Sequence, residues 1–259
     1  MAGPDLAGKN AVIVGGTSGI GYGVALAMHQ AGARVVVAGR DSDRSQAAAT
    51  RLAALPGAPV LGLAADVTDR RSLIRMLEAA EQNHGPITTL VCSAGVGVVA
   101  RISATDEADW DRVIGTNLTG TWRTAVLGLP RLAPGPGSSI TTIGSDTSLV
   151  ADPDLGVYTV SKAALMALSR LLAVDAAKVG IRVNCICPGY IEPGMRDFPN
   201  RLSAAGDRVA EPLPPLGRHG QATDVGAAAV YLASDAASFV TGAVLAVDGG
   251  FTAAGCWYG

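Results

Sequence analysis

The chain has 259 residues, of which 49% are hydrophobic and 16% charged, with 33 glycines and a formal net charge of −2 at pH 7. This balance offers no basic surface for nucleic acid or an anionic membrane, and the length suits one substantial core. No uninterrupted apolar run reaches about 18 residues and residues 1–9 lack a signal-peptide apolar region, so the sequence predicts a soluble, cytoplasmic protein.

From Asn10 almost to the C-terminus, short β-branched runs alternate with longer amphipathic segments. Strands are predicted over residues 11–14, 34–38, 60–64, 89–92, 139–143, 182–186 and 244–247, and helices over 20–30, 43–55, 70–83, 106–129, 157–178 and 224–232. Repeated βαβ units of this kind predict an α/β fold: a single-domain, doubly wound sheet of about seven parallel strands, with helices on both faces. The irregular stretch 189–220, rich in Pro, Gly and Arg, falls just after the sixth strand. Ligands of open α/β sheets sit beyond the carboxyl ends of the strands, so a substrate lid is expected around 190–220.

Cys92, Cys185, Cys187 and Cys256 lack zinc-ligand spacing, and Cys185 and Cys187 on a strand would share one face as buried thiols. His29, His84 and His219 are scattered. Neither a metal site nor a Ser-His-Asp hydrolase is expected.

The first strand runs into Val14-Gly15-Gly16-Thr17-Ser18-Gly19-Ile20-Gly21 and then a helix. Glycines let a backbone turn tightly against a pyrophosphate, whose charge the helix N-terminus favours. After the first strand of a βαβ series, this predicts a dinucleotide held by Gly15, Thr17, Ser18, Gly19 and Ile20. At the end of the second strand stand Gly39 and Arg40, where an NAD-binding chain would place an acid. A charge-assisted Arg–phosphate contact is worth about 1.5–3 kcal/mol, so NADP is favoured, with NAD the alternative. Asp41 and Asp43 oppose that preference if they pair with Arg40.

Tyr158 and Lys162 lie one helical turn apart, on one face of the predicted helix. A phenol is a poor base near its ordinary pKa of about 10, but a nearby cation favours the phenolate. Lowering that pKa by roughly three units takes about 4 kcal/mol, within reach of a close ammonium in a partly desolvated cleft. The pair is therefore read as an acid/base.

With the glycine loop, this pair resembles the short-chain dehydrogenase/reductase family over residues 6–252, a match carried by several ordered motifs. The family's T-G-x-x-x-G-x-G loop corresponds to Val14 through Gly21, and its adenine-pocket pair to Asp66-Val67. Its Asn-Asn-Ala-Gly appears as Cys92-Ser93-Ala94-Gly95, its catalytic asparagine as Asn117, and its substrate-binding serine as Ser145, after Ile143. Pro188-Gly189-Tyr190-Ile191 is similar to the loop facing the nicotinamide, with Pro193 where many relatives carry threonine, and the motifs from Pro215 to Gly250 match the last third.

The resemblance implies hydride transfer between the nicotinamide and a secondary alcohol or ketone. Tyr158 would act as general acid/base, Lys162 would lower its pKa and hold the nicotinamide ribose, Ser145 would orient the substrate oxygen, and Asn117 would hold a water. It adds Ser93, Ala94, Gly95, Ile143, Tyr158, Lys162, Pro188, Gly189 and Ile191 to the cofactor set. Val96, Ser145, Asp146, Tyr158 and Tyr190, with 194–208, would line a pocket for a medium-sized, partly hydrophobic substrate. A homotetramer is expected, with Trp257 and Tyr258 buried at an interface or completing a neighbour's pocket. Two readings stay open beside it: non-redox elimination or isomerisation at the same Ser-Tyr-Lys site, and a nucleotide-sensing module without turnover.

Overall fold

The computed structural model describes residues 5–135, 137–192 and 213–254. Seven parallel strands form one sheet: β1 (Asn10–Val14), β2 (Arg34–Gly39), β3 (Val60–Ala64), β4 (Thr89–Cys92), β5 (Ser139–Ile143), β6 (Arg182–Pro188) and, after a small separate ladder described below, β9 (Val244–Val247). Their order is β3-β2-β1-β4-β5-β6-β9. The fold is therefore the doubly wound one expected, and its winding reverses between β1 and β4.

Side chains alternate across each strand and build a core on each face. Ala11 and Ile13 of β1 pack under α1 (Gly19–Gln30), α2 (Ser42–Ala53) and α7 (Ala222–Ala233). Val12 and Val14 pack under α3 (Arg70–His84), α5 (Gly120–Gly128) and α6 (Gly156–Ala177). Fully buried Ile13, Leu73, Leu77, Leu90 and Ile140 each contribute about 2 kcal/mol to this packing. α6 is long and apolar enough to cross a membrane by length and composition. Here Leu165, Leu172, Ala173 and Ala176 press its inner face into the core.

α1 and α7 meet at small residues. A Cβ on Gly23 would stand 2.4 Å from the Ala222 Cβ, and one on Gly226 2.7 Å from that of Ala27. Only glycine at both positions allows the helices to come so close.

The long helix expected over 106–129 is three pieces. α4 (Glu107–Val113), started by an Asp106 side-chain cap to the Asp109 amide, passes into a widened π-helical turn, Ile114–Thr119, before α5 begins. Gly115 and Gly120 are weak helix formers, and a Cβ on Gly120 would lie 2.6 Å from Val67 Cγ2. The wide turn places Asn117 inward, fully buried. Two short strands, β7 (Ile191–Glu192) and β8 (Gly220–Gln221), pair apart from the main sheet and were too brief for a periodicity to reveal. They bracket the expected lid, most of which, with Pro193, 194–208, Cys256, Trp257 and Tyr258, lies outside the described residues.

Candidate active site

Strand register sets the site's floor. Val14 pairs with Ala38 on one side and Cys92 on the other, so Gly15 and Ser93 leave the sheet level with Gly39, the last residue of β2. Gly15 has φ 90°, and a Cβ there would stand 2.4 Å from the Ala94 amide nitrogen. Gly15 thus lets the loop pack against the chain leaving β4, while a Cβ on Gly19, φ 53°, would meet nothing within 4 Å: this open space is a cradle beside the start of α1, whose N-cap residue, Ser18, makes no side-chain cap hydrogen bond. First-turn amides without a capping side chain suit a phosphate. Thr17 is half-buried, Gly19 exposed, and Ile20 packs against the core below.

Arg40 is exposed at the end of β2, and among the described residues no carboxylate pairs with it. Asp41 is instead committed to α2, accepting from the Arg44 amide at 3.0 Å. Asp66 accepts from Thr68 through both its amide, at 2.8 Å, and its hydroxyl, at 2.7 Å. The side chain of Val67 turns into the core against Gly120, and its carbonyl is taken by Arg123 at 2.8 Å. That leaves Val67 little but backbone to offer a ligand, as burial also does for Ile191, whose Cδ1 lies where a Gly220 Cβ would be. Both were expected to touch the cofactor, and hydrophobic burial has claimed their side chains.

The residues expected to be catalytic converge at the carboxyl ends of β4, β5 and β6. Asn117 clamps the backbone leaving β4: its Oδ1 accepts from Val96 N at 2.8 Å and its Nδ2 donates to Val96 O at 2.9 Å. The same Nδ2 donates to Ser161 Oγ at 3.0 Å, and Ser161 donates to the Tyr158 carbonyl at 2.7 Å. Ser161 was not foreseen, although its place three residues after Tyr158 on one helix was the available signal. Lys162 Nζ donates to the Ile143 carbonyl at 2.8 Å and stands 5.7 Å from the Tyr158 ring centroid. A Cβ on Gly95 would lie 3.5 Å from both Lys162 Nζ and Asn117 Oδ1, at ordinary contact distance, so the backbone leaving β4 runs beside both groups.

Ser145 caps a short turn after β5 and hydrogen-bonds the Tyr158 hydroxyl. Asp146 beside it is half-buried, and burial raises its carboxyl above the ordinary range. Tyr190, expected at the substrate, is exposed and lies against His219, ring centroids 4.3 Å apart. His219 in turn reaches Glu192 at 3.1 Å. Gly189 packs against Asp248, and Pro188 closes β6 as its last buried residue. Cys185 and Cys187 are buried with their sulfurs 4.0 Å apart, free thiols on one face of β6.

One expectation is reversed. Lys162 was to lower the Tyr158 pKa, yet burial, reinforced by the Asp146 charge, holds the phenol above its ordinary value. Burial also depresses Lys162, to about 8. Both groups are nearly out of water, and the ammonium is turned to a carbonyl, so desolvation outweighs their attraction. The chain itself keeps Tyr158 protonated.

A family model described as enoyl-(acyl carrier protein) reductase matches residues 14–252. A crystal structure of a short-chain type dehydrogenase/reductase from Mycobacterium marinum matches at TM-score 0.83 and 34% identity, covering 96% of each chain. The chain belongs to the short-chain dehydrogenase/reductase family. Among relatives, it is 35% identical over 253 residues to the NADP-dependent (R)-specific alcohol dehydrogenase of Lentilactobacillus kefiri, covering 96% of this chain and 98% of that one. It is 36% identical over 250 residues to 2-(S)-hydroxypropyl-CoM dehydrogenase 3 of Xanthobacter autotrophicus, covering 95% and 98%. As a short-chain dehydrogenase/reductase it is an oxidoreductase acting on CH–OH/C=O groups of small molecules.

Proposed function

We propose that this chain is a single catalytic domain that transfers hydride between NADP and a secondary alcohol or ketone, with Tyr158 as general acid/base. The observation that carries the reading is the convergence of Ser145, Tyr158, Lys162 and Asn117 on one pocket beside the Gly15 cradle. The cradle fits a dinucleotide in outline: Gly15 to Ile20 for the pyrophosphate, Asp66 with the Val67 backbone for the adenine, Arg40 for a 2′-phosphate, and Ser93 to Gly95, Ile143 and Pro188 to Ile191 toward the nicotinamide. When bound, the nicotinamide exchanges hydride with the substrate carbon.

The residues' tasks follow from their states. Burial keeps the Tyr158 proton in place, the form that gives a proton to the developing alkoxide in ketone reduction. In alcohol oxidation the phenol must first release that proton. Lys162 holds a positive charge beneath the pocket below a pH of about 8 and, anchored to Ile143 O, is aimed between the phenol and Gly95. Asn117 fixes Val96 and thereby the pocket wall. Ser145 fixes the substrate oxygen relative to Tyr158.

NADP rather than NAD is supported by an exposed Arg40 free of ion pairs among the described residues, and by the cofactor in the name of the Lentilactobacillus relative. Exposed apolar side chains on α5 and α6, Trp122, Val126, Leu171 and Val174, support a homotetramer built on these helices. A cytoplasmic site of action agrees with buried free thiols. The test is to follow absorbance of the reduced cofactor against a panel of ketones and secondary alcohols, with wild type and Tyr158→Phe. NADPH-dependent turnover that falls to a few percent or less in the variant is expected, since general acid/base groups contribute about 10²–10⁴-fold. Absence of turnover on the whole panel, or a variant retaining more, would overturn the assignment.

A further inference from the structure

Ser145 Oγ donates to Asp146 Oδ1 at 2.8 Å, and Ser145 also hydrogen-bonds the Tyr158 hydroxyl. With an ordinary O–H···O length for the second bond, the Asp146 carboxylate stands within about 6 Å of the phenol oxygen. The Thr147 amide donates to the same Oδ1 at 2.8 Å. Oδ2 has no hydrogen bond among the described residues and, in a half-buried side chain, is not sealed from solvent. Nor does any Lys or Arg among them pair with Asp146. The charges that face it are acids, Asp248 from the end of β9 and Asp152 from the same loop. Arg101, on the loop after β4, lies instead against Asp154 at 3.9 Å, and Lys162 donates to the Ile143 carbonyl at 2.8 Å.

A carboxylate so placed lacks a counter-charge beside the reacting centre. Burial and the two neighbouring acids raise its carboxyl above the ordinary range, and a cation at Oδ2 would relieve both. A second anion brought by a substrate would add to the repulsion instead. Exposed Val99, Leu149 and Val150 stand on the loops after β4 and β5, which meet at the Ala100–Leu155 bridge, and these side chains suit an apolar molecular frame. Resting on the proposed function above, we infer that Asp146 determines specificity by taking, on its open oxygen, an ammonium carried one or two carbons from the reacting carbon. The substrate of this chain is then an amino ketone, or its amino alcohol, on an otherwise apolar frame, and carboxylate-bearing ketones are disfavoured. Three single bonds of about 1.5 Å carry the nitrogen of a β-amino ketone far enough from the carbonyl to meet Asp146.

The test compares kcat/KM for butyrophenone, for its ammonium isostere 3-amino-1-phenylpropan-1-one and for the anionic 4-oxo-4-phenylbutanoate, in wild type, Asp146→Asn and Asp146→Glu. The reduced cofactor is saturating and the pH is near 7, where an alkyl ammonium is charged. Ratios between ketones are taken within each protein, so that a general loss of activity cancels, and comparing proteins cancels the intrinsic reactivities of the ketones. Wild type should favour the ammonium ketone over butyrophenone, and butyrophenone over the carboxylate. In Asp146→Asn the preference for the ammonium ketone should fall by about tenfold, the size of a charge-assisted hydrogen bond open to solvent on one side, and the carboxylate should gain on butyrophenone. Asp146→Glu keeps the charge and should keep the wild-type order. Should the asparagine variant not fold, Asp146→Ser removes the charge with a smaller side chain and carries the same expectation. Ratios within about twofold of wild type in the uncharged variant would overturn the inference. So would a wild type that reduces neutral ketones but refuses the ammonium ketone or prefers the carboxylate. A wild type inert toward every alcohol and ketone would instead overturn the proposed function, and this inference with it.

Discussion

Replacing Asn117 should invert the usual order of core substitutions. The side chain is fully buried and makes three hydrogen bonds, at 2.8 and 2.9 Å to the Val96 backbone and at 3.0 Å to Ser161. Leucine keeps the branched shape but is larger, and it places hydrocarbon against the Val96 N–H and C=O. Two backbone groups stripped of partners cost about 1–3 kcal/mol each, and the lost Ser161 bond about 1, so Asn117→Leu should destabilise by about 5 kcal/mol. Alanine leaves a polar cavity into which a water can bridge the same groups, for a loss of about 3 kcal/mol. Between apolar core residues the smaller side chain is the more damaging one; here the larger should be. Urea unfolding, extrapolated linearly to water with the slope checked for constancy, reads the difference. If the leucine variant is as stable as the alanine variant or more so, the side chain does not serve to clamp Val96. If both lose less than about 1 kcal/mol, the hydrogen bonds are not contributing as their burial implies.

Lys162 offers a pH test. Burial lowers its pKa from 10.5 to about 8, so between those values the unfolded chain binds the proton that the folded chain has released. Stability from this group is complete above pH 10.5 and lost as pH falls through about 8. Wild type should therefore gain about 3 kcal/mol on Lys162→Met between pH 7 and 10.5, compared in a Cys185→Ala background so that the neighbouring thiol does not titrate with it. A pH-independent difference would mean that the ammonium is better solvated than its burial indicates. Arg40→Ser should raise the KM for NADP by about ten- to a hundredfold and leave that for NAD within about twofold. Equal changes for both cofactors would remove Arg40 from the 2′-phosphate.

Strands were the most legible elements because they are buried on both faces: β-branched runs such as 11–14 and 34–38 mark themselves within a residue or two of β1 and β2. The order of the site residues was legible too, since the motifs lie at strand ends whose positions were already clear. What lay hidden depended on partners distant in sequence or on degree of burial. Asn117 reaches a backbone 21 residues away, and its wide turn blurs any single helical period. The spacing of Tyr158 and Lys162 placed them on one face, but spacing is silent on desolvation, which reversed the expected pKa effect. Asp146 is adjacent to Ser145 in the chain, yet nothing in that adjacency tells which way a hydroxyl points.

The close crossing of α1 and α7 bears on how the chain is made. α1 carries the first turn of the nucleotide cradle, and its outer side rests on residues 222–226, some 200 positions later. During synthesis, the glycines of α1 emerge early and wait, without a partner, for nearly the whole chain to follow. Contacts of such long sequence separation are slow to form and tie early structure to late sequence. The first supersecondary unit of this fold is thus completed among the last, and a ribosome-bound fragment ending before α7 would hold a cradle whose supporting helix has nothing behind it.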